Sequence, residues 1–172
     1  MHSIFVRANV IFFYTLSTLM ALGALSSLSV LLRVPHAPVQ ISNFQILRYI
    51  ESPPAFKGAR VLPVFDMEAD LRDVFDWNVK QLFVWMTAEY KLPGKPVNQI
   101  VLWDRIVKNQ EDAHISIVDE RAEYPIYTMN ENLRGVEMNV TLRWDIMPVV
   151  GLLKQGGGSD HNSVRIAMPK SL

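Results

Sequence analysis

An uncharged segment near the N-terminus restricts the fold of this chain more than any other feature. No charged residue occurs between Arg7 and Arg33, and the apolar centre of this segment runs from Val10 to Leu32. As a helix, its 23 residues would be about 35 Å long, enough to cross a hydrocarbon layer of about 30 Å. We therefore predict a single transmembrane helix, an uncleaved signal anchor, over residues 10–32.

A cleaved signal peptide is the alternative interpretation of the same segment. Val10–Leu22 has the length of a signal-peptide core, and Ala24–Ser26 forms a small-x-small cleavage site. Against this, the apolar run continues past that site, and a single arginine precedes it. The charges do not decide the orientation, because Arg7 lies before the span and Arg33 directly follows it.

The composition argues against several classes of partner. The Lys and Arg residues number 17 and so do the Asp and Glu residues, which leaves no basic surface for nucleic acid. The chain has no cysteine, so disulfides and cysteine-ligated metals are excluded. We expect no cofactor, no nucleic-acid partner and no small-molecule substrate.

Beyond the anchor, apolar residues recur at every second position, which is typical of half-buried strands. The clearest alternation runs from Val136 to Ile146, and Phe65–Leu71 follows the same pattern. Val39–Ile46 also alternates but changes phase once, which indicates a β-bulge. The period of two predicts antiparallel sheets with one face covered.

Further strand candidates complete a mainly β chain. The period of Phe75–Tyr90 is compatible with a helix or a strand, but its aromatic and β-branched content favours one long strand, with Ile100–Val107 as its hairpin partner. Weaker candidates lie at residues 113–118, 124–128 and 164–168, and Leu152–Ser163 is predicted to be a flexible loop because it contains three glycines. Seven or eight short strands over about 140 residues predict an antiparallel β-sandwich.

The sequence offers little that could perform catalysis. Ser159, Asp160 and His161 are the residue types of a catalytic triad, but consecutive side chains diverge, whereas a triad needs its base beside its nucleophile. The four histidines, at positions 2, 36, 114 and 161, do not have the spacing of a zinc site. We predict no catalytic, cofactor-binding or metal-binding residues.

Two other features concern interaction and modification. Asn139 begins an Asn-Val-Thr triplet, and the alternation predicts that Asn139 and Thr141 both point to the polar face of their strand. A chain of this composition contains roughly one such triplet by chance, so the triplet alone does not establish a glycan. Trp77, Phe83 and Trp85 belong to an aromatic-rich stretch and are candidate interface residues, with burial in the core as the alternative.

Four segments resemble the signal peptidase complex subunit 3 family. They are Arg7–Asn9 before the apolar span, then residues 75–90, 98–107 and 133–151. Their order and spacing match over almost the whole chain. The main departure is the short, glycine-rich segment at residues 156–172.

The resemblance implies a single-pass type II protein of the endoplasmic reticulum membrane. Residues 1–9 would be cytosolic, residues 10–32 would form the anchor, and residues 33–172 would form a luminal β-sandwich. It also implies a non-catalytic subunit that supports a serine-peptidase subunit in signal-peptide cleavage, beside other small membrane subunits. The glycan acceptor of the family falls on Asn139, which would make the chain a glycoprotein.

Two other functions remain open at this point. One is a secreted or cell-surface β-sandwich that binds proteins or glycans after removal of a signal peptide. The other is a hydrolase that uses Ser159 and His161.

Overall fold

A computed structural model describes residues 3–31, 33–51, 58–129, 133–157 and 163–168 of the chain. A long helix, α1 (Ile4–Leu31), comes first. It contains one stretch, Ile4–Val30, long and apolar enough to cross a membrane. The strands that follow in the described residues are β1 (Val39–Glu51), β2 (Gly58–Asp70), β3 (Val79–Lys91), β4 (Val97–Val107), β5 (His114–Arg121), β6 (Ile126–Met129), β7 (Glu137–Pro148), β8 (Lys154–Gly157) and β9 (Ser163–Ala167).

These strands form two antiparallel sheets. In the first, β2 pairs with β1 along one edge, and with β5 and β6 end to end along the other. In the second, the order is β4-β3-β7, and β8 and β9 pair end to end with the far edge of β7. The mainly β fold with one N-terminal helix is therefore confirmed.

The two sheets bury one shared apolar cluster, as expected for a sandwich. Strand β2 contributes its alternate residues, including Met67 and Ala69, and β3 contributes Leu82, Val84 and Met86. The inward face of β7 contributes Met138, Val140, Leu142, Trp144 and Ile146. This last set is the apolar face that the alternation predicted for that strand.

Two local predictions are confirmed. The pairing of β1 with β2 shifts register between Ser42 and Gln45, and Asn43 has φ 48°, so the change of phase in the sequence is a bulge. Strands β3 and β4 form the predicted antiparallel hairpin, which pairs from Leu82 opposite Val107 to Lys91 opposite Val97 with one shift of register between Met86 and Thr87.

The long strand starts later than predicted. Strand β3 begins at Val79 and not at Phe75. The carboxylate of Asp76 accepts the N–H of Asn78 at 2.8 Å, and the carbonyl of Asp76 accepts the N–H of Val79 at 3.1 Å. This aspartate-centred turn competes with extended pairing and places Trp77 outside the sheet.

The prediction of a flexible loop over Leu152–Ser163 is wrong for Lys154–Gly157 and for Ser163, which belong to strands, and residues 158–162 lie outside the described residues. Lys154–Gly157 is strand β8, in register with β7 from Ile146 to Arg143. The glycines are required by packing, because a Cβ at Gly156 would lie 2.7 Å from Cε2 of Trp144 and still closer to Nε1. Gly157 has φ +81° and lies directly against the backbone of β7.

Candidate interaction surfaces

The joint between α1 and the sandwich is held by polar contacts. The guanidinium of Arg33 donates to the carboxylate of Asp73 at 2.7 Å and to its backbone carbonyl at 2.9 Å. The N–H of His36 donates to the other carboxylate oxygen of Asp73 at 2.7 Å. The ammonium of Lys154 donates to the carbonyl of Arg33 at 2.7 Å. The chain leaving the helix is therefore bonded to the sandwich on two sides.

These contacts change the acidity of Asp73. The N–H of His36, followed by the guanidinium of Arg33, lowers the pKa of this carboxyl below its usual 3.8. Both donors favour the ionised form. The side chains of Arg33 and Asp73 remain about half exposed, so the pair acts mainly in positioning.

A buried asparagine fixes the loop between β7 and β8. Asn78 is 2% exposed. Its amide nitrogen donates to the carbonyl of Val150 at 2.7 Å, and its amide oxygen accepts the N–H of Val150 at 3.0 Å. The carbonyl of Asn78 also accepts the N–H of Val149. Because both polar groups of this side chain are used, the loop has one defined position.

The loop held in this way, Val149–Leu153, consists of exposed apolar residues around one glycine. The side chains of Val149, Val150, Leu152 and Leu153 are all exposed. The loop also approaches α1: a Cβ at Gly151 would lie 2.6 Å from Oγ of Ser27, and a Cβ at Gly23 would lie 3.6 Å from Cγ1 of Val150. We call this segment the 149–153 loop.

Two of the predicted interface residues lie on the outer face of the second sheet. Phe83 and Trp85 are half-buried, and their rings stack at 5.3 Å between centroids. They alternate with Leu82, Val84 and Met86, which face the core. The neighbouring strand β4 places Ile106 opposite Phe83 and Val101 opposite Thr87. The side chains of Ile106 and Val101 are exposed. We call Phe83, Trp85, Val101 and Ile106 the outer-face patch.

The third predicted residue, Trp77, lies elsewhere. It is 70% exposed and precedes Asn78 at the end of the sheet where β3 begins and β7 ends. That end also carries the 149–153 loop, and we call it the helix-proximal end. Trp77 lies in the turn before β3, whereas Phe83 and Trp85 lie on the outer face of the sheet. The three aromatic residues therefore do not form one surface.

Charged and polar groups border the outer-face patch. Arg143 of β7, which lies opposite Trp85, donates to the carboxylate of Glu89 at 2.8 Å. The same carboxylate oxygen accepts the amide of Gln99 at 3.0 Å. Nε of Arg143 is buried without a hydrogen-bond partner in the described part of the chain. A polar rim beside an aromatic centre is the usual arrangement of a protein interface.

Asn139 and Thr141 lie on the same outer face, in β7. Asn139 pairs with Glu89 on one side and with Arg165 on the other, and it is half-buried beside a surface hollow of about 350 Å³. Thr141 was predicted to point to the polar face of the strand, but only 2% of the residue is exposed, so that face is not open to solvent at this position. This short side chain lies in a central strand, with Thr87 of β3 opposite it on one side and Ser163 of β9 on the other.

Several residues considered for catalysis and metal binding lie outside the described ranges. Ser159, Asp160 and His161 lie outside the described residues. His114 contacts Glu68 at 3.9 Å on the surface of the first sheet. In the ranges that the structure describes, no three His, Cys, Asp or Glu residues are grouped so that they could hold a metal ion.

Sequence reasoning missed the helix joint and the 149–153 loop. The partners in the joint are 40 residues apart, and no local pattern connects them. The loop did carry a signal, because a run of four apolar residues around a glycine is unusual for a connection between strands. Its position directly after the strongest strand concealed that signal.

Comparisons with known proteins place this arrangement in context. The family model described as "Signal peptidase subunit" matches residues 1–171. A protein named signal peptidase complex subunit 3 from Gallus gallus is 34% identical over 171 residues, which cover 95% of this chain and 93% of that protein. The Homo sapiens protein of the same name is 33% identical with the same coverage. The Drosophila melanogaster protein of that name is 31% identical over 159 residues, which cover 89% of this chain and 88% of its own.

Proposed function

The chain belongs to the signal peptidase subunit family, and from that membership we propose that it serves as a non-catalytic accessory subunit of a signal peptidase complex. The observation that carries this proposal is the match over residues 1–171. The matched residues include those of α1, the joint and both sheets, so the match is not limited to one element.

The proposed location is the endoplasmic reticulum membrane, with α1 as a single-pass anchor and the sandwich in the lumen. Helix α1 is continuous across Ala24–Ser26, and it contacts the 149–153 loop at Gly23 and Ser27. Removal of the segment up to Ser26 would destroy this packing. An uncleaved type II anchor is therefore favoured over a secreted protein with a cleaved signal peptide.

The proposed partner of the outer-face patch is the serine-peptidase subunit of the complex. Phe83 and Trp85 form a stacked apolar centre with a polar rim that includes Arg143. Aromatic residues bordered by polar groups contribute most of the binding energy at protein interfaces. In this role the sandwich holds the catalytic subunit in position near the membrane, and the chemistry belongs to that partner.

Co-purification from detergent-solubilised membranes tests this proposal. The tagged full-length chain is expected to retain the serine-peptidase subunit, and Phe83→Ala with Trp85→Ala is expected to lose it. The matched control is Tyr127→Ala, since Tyr127 is an exposed aromatic residue of the first sheet. A wild-type chain that retains no peptidase subunit would refute the function. Retention by the double variant equal to that of the control would refute the assigned surface alone.

We also propose that Asn139 carries an N-linked glycan. The buried position of Thr141 means that the acceptor triplet is accessible to a transferase only before β7 pairs with its neighbours. Glycosylation therefore precedes folding of the second sheet. Endoglycosidase treatment is expected to increase gel mobility of the wild-type chain but not of Asn139→Gln. Unchanged mobility of the wild-type chain would contradict this assignment.

A further inference from the structure

The 149–153 loop has the wrong chemistry for a connection in water. It joins β7 to β8 with four exposed apolar side chains and no polar one. Loops that face solvent are ordinarily polar, and contiguous exposed apolar residues mark a site that another apolar phase covers. Since Asn78 holds both backbone groups of Val150, the exposure belongs to a fixed conformation.

The contacts with α1 show how far from the C-terminal end of the helix this loop lies. Ser27 and Gly23 are four and eight residues before the end of the helix at Leu31, which places them about 6 Å and 12 Å inside that end. Both contact the loop through close approaches that small residues allow. Gly23, Ser26, Ser27 and Val30 are partly covered and lie on one face of the helix.

The residues around the loop have the character of a membrane boundary. Trp77 is adjacent to Asn78 and is exposed, and tryptophan concentrates at the interface between lipid and water. Arg33 lies two residues after the last residue of α1, and Lys154 follows the loop directly. The ammonium of Lys154 donates to the backbone carbonyl of Arg33, so this cation lies at the level where the chain leaves the helix, and basic side chains at such a level reach headgroups.

We propose that the 149–153 loop is inserted into the apolar part of the lipid bilayer beside the last turns of α1. This inference rests on the proposed transmembrane position of α1. The chain then contacts the membrane at two places, and the acyl chains of lipid cover Val149, Val150, Leu152 and Leu153. Contact at two places fixes the tilt of the sandwich relative to the bilayer, which a single helix cannot do.

The absence of cysteine allows a direct test with single-cysteine variants of the full-length chain. Val149→Cys reports on the loop, Leu22→Cys on the helix, and Val97→Cys on the end of the second sheet opposite the helix-proximal end. Val149 and Val97 are the same residue type and are 65% and 61% exposed, so they form a matched pair. Each variant carries an environment-sensitive fluorophore in phosphatidylcholine vesicles that contain spin-labelled acyl chains.

The proposal predicts that the label at position 149 is quenched by the acyl-chain spin label as strongly as the label at position 22. The label at position 97 is expected to be quenched only by iodide added to the water. If position 149 behaves like position 97 while position 22 is quenched by lipid, the loop lies outside the bilayer. In that case a protein, and not lipid, would cover the 149–153 loop in the complex. The proposal that the loop is inserted into the bilayer would then be overturned.

Failure of the anchor gives a different pattern. If the label at position 22 is not quenched by lipid, the transmembrane position of α1 is wrong and the loop proposal falls with it. The co-purification experiment does not depend on these labels, so the function and the loop insertion can fail separately.

Discussion

Substitution of Gly156 by alanine is expected to destabilise the sandwich through one side chain, the indole of Trp144. The two residues lie opposite each other in β8 and β7. A Cβ at Gly156 would lie 2.7 Å from Cε2 of Trp144, a distance that non-bonded carbon atoms do not reach. Trp144 is buried in the core, so the indole can move only by disturbing its neighbours.

The expected magnitude follows from two opposing effects. Overpacking of a core costs about 1–3 kcal/mol. Replacement of a strand glycine by alanine returns roughly 0.5–1 kcal/mol, because alanine restricts the unfolded chain. We therefore expect Gly156→Ala to lower the free energy of unfolding by about 1–2 kcal/mol. Urea unfolding of the full-length chain in detergent, followed by far-ultraviolet circular dichroism, measures this change.

A second substitution, Trp144→Phe, tests whether the indole causes this destabilisation. Trp144→Phe removes the atoms nearest to the new methyl group and leaves a cavity, which costs on the order of 2 kcal/mol by itself. In that background, Gly156→Ala is expected to be neutral or stabilising, since the methyl group then occupies vacated space. The coupling in the double-mutant cycle should therefore exceed about 1 kcal/mol. The proposed contact would be refuted if the two substitutions had additive effects on the free energy of unfolding. It would also be refuted if the Gly156→Ala variant were as stable as the wild-type chain.

Three further predictions concern the contacts around the interaction surfaces. Asn78→Ala removes two hydrogen bonds to the 149–153 loop and should cost about 1–3 kcal/mol, with hydrogen exchange of the loop amides rising most. Asp73→Ala should increase exchange of the His36 amide. The ionised carboxylate of Asp73 protects the His36 amide from exchange in the wild-type chain. Because the pKa of Asp73 is lowered in the folded chain, this protection is complete above pH 3.8, the usual pKa of the group, and is lost as the pH falls further. Wild-type protection of His36 that persists through that range would contradict the assignment. Arg143→Met breaks the ion pair with Glu89 and should cost about 1 kcal/mol, less at high salt.

The regular parts of the fold could be predicted from the sequence because each rests on a local pattern. An uncharged apolar segment can satisfy its backbone in lipid only as a helix, and α1 covers it. Alternation with a period of two predicted β7 with its buried face, and a change of phase predicted the bulge after Ser42. These features depend on neighbours in sequence, which a single chain displays.

The remaining features depend on partners distant in sequence. The glycines of β8 were predicted to be flexible, although Trp144, twelve residues earlier than Gly156, requires a small residue at position 156, and the backbone of Leu142 and Arg143 requires the same at position 157. The burial of Thr141 follows from strands on both sides, and not from its position in the alternation. In the same way, Asn78 resembles any polar turn residue until its bonds to Val150 are known. Composition indicates which residues avoid water, but it does not show which residues contact one another in the folded chain.

Asn139 and the outer-face patch share one face of one sheet, and this limits how a partner can approach. Asn139 is four residues from Arg143, the residue opposite Trp85, so it lies about 14 Å along β7 from the aromatic centre of the patch and about 7 Å from the level of Val101 at its border. The patch lies toward the helix-proximal end, and Asn139 lies away from it. A branched sugar at Asn139 would therefore sterically exclude a partner from the far half of the outer face of the sheet. The space left for a bound protein would then be the helix-proximal strip of the sheet, which the proposed membrane position of α1 would place nearest to the bilayer.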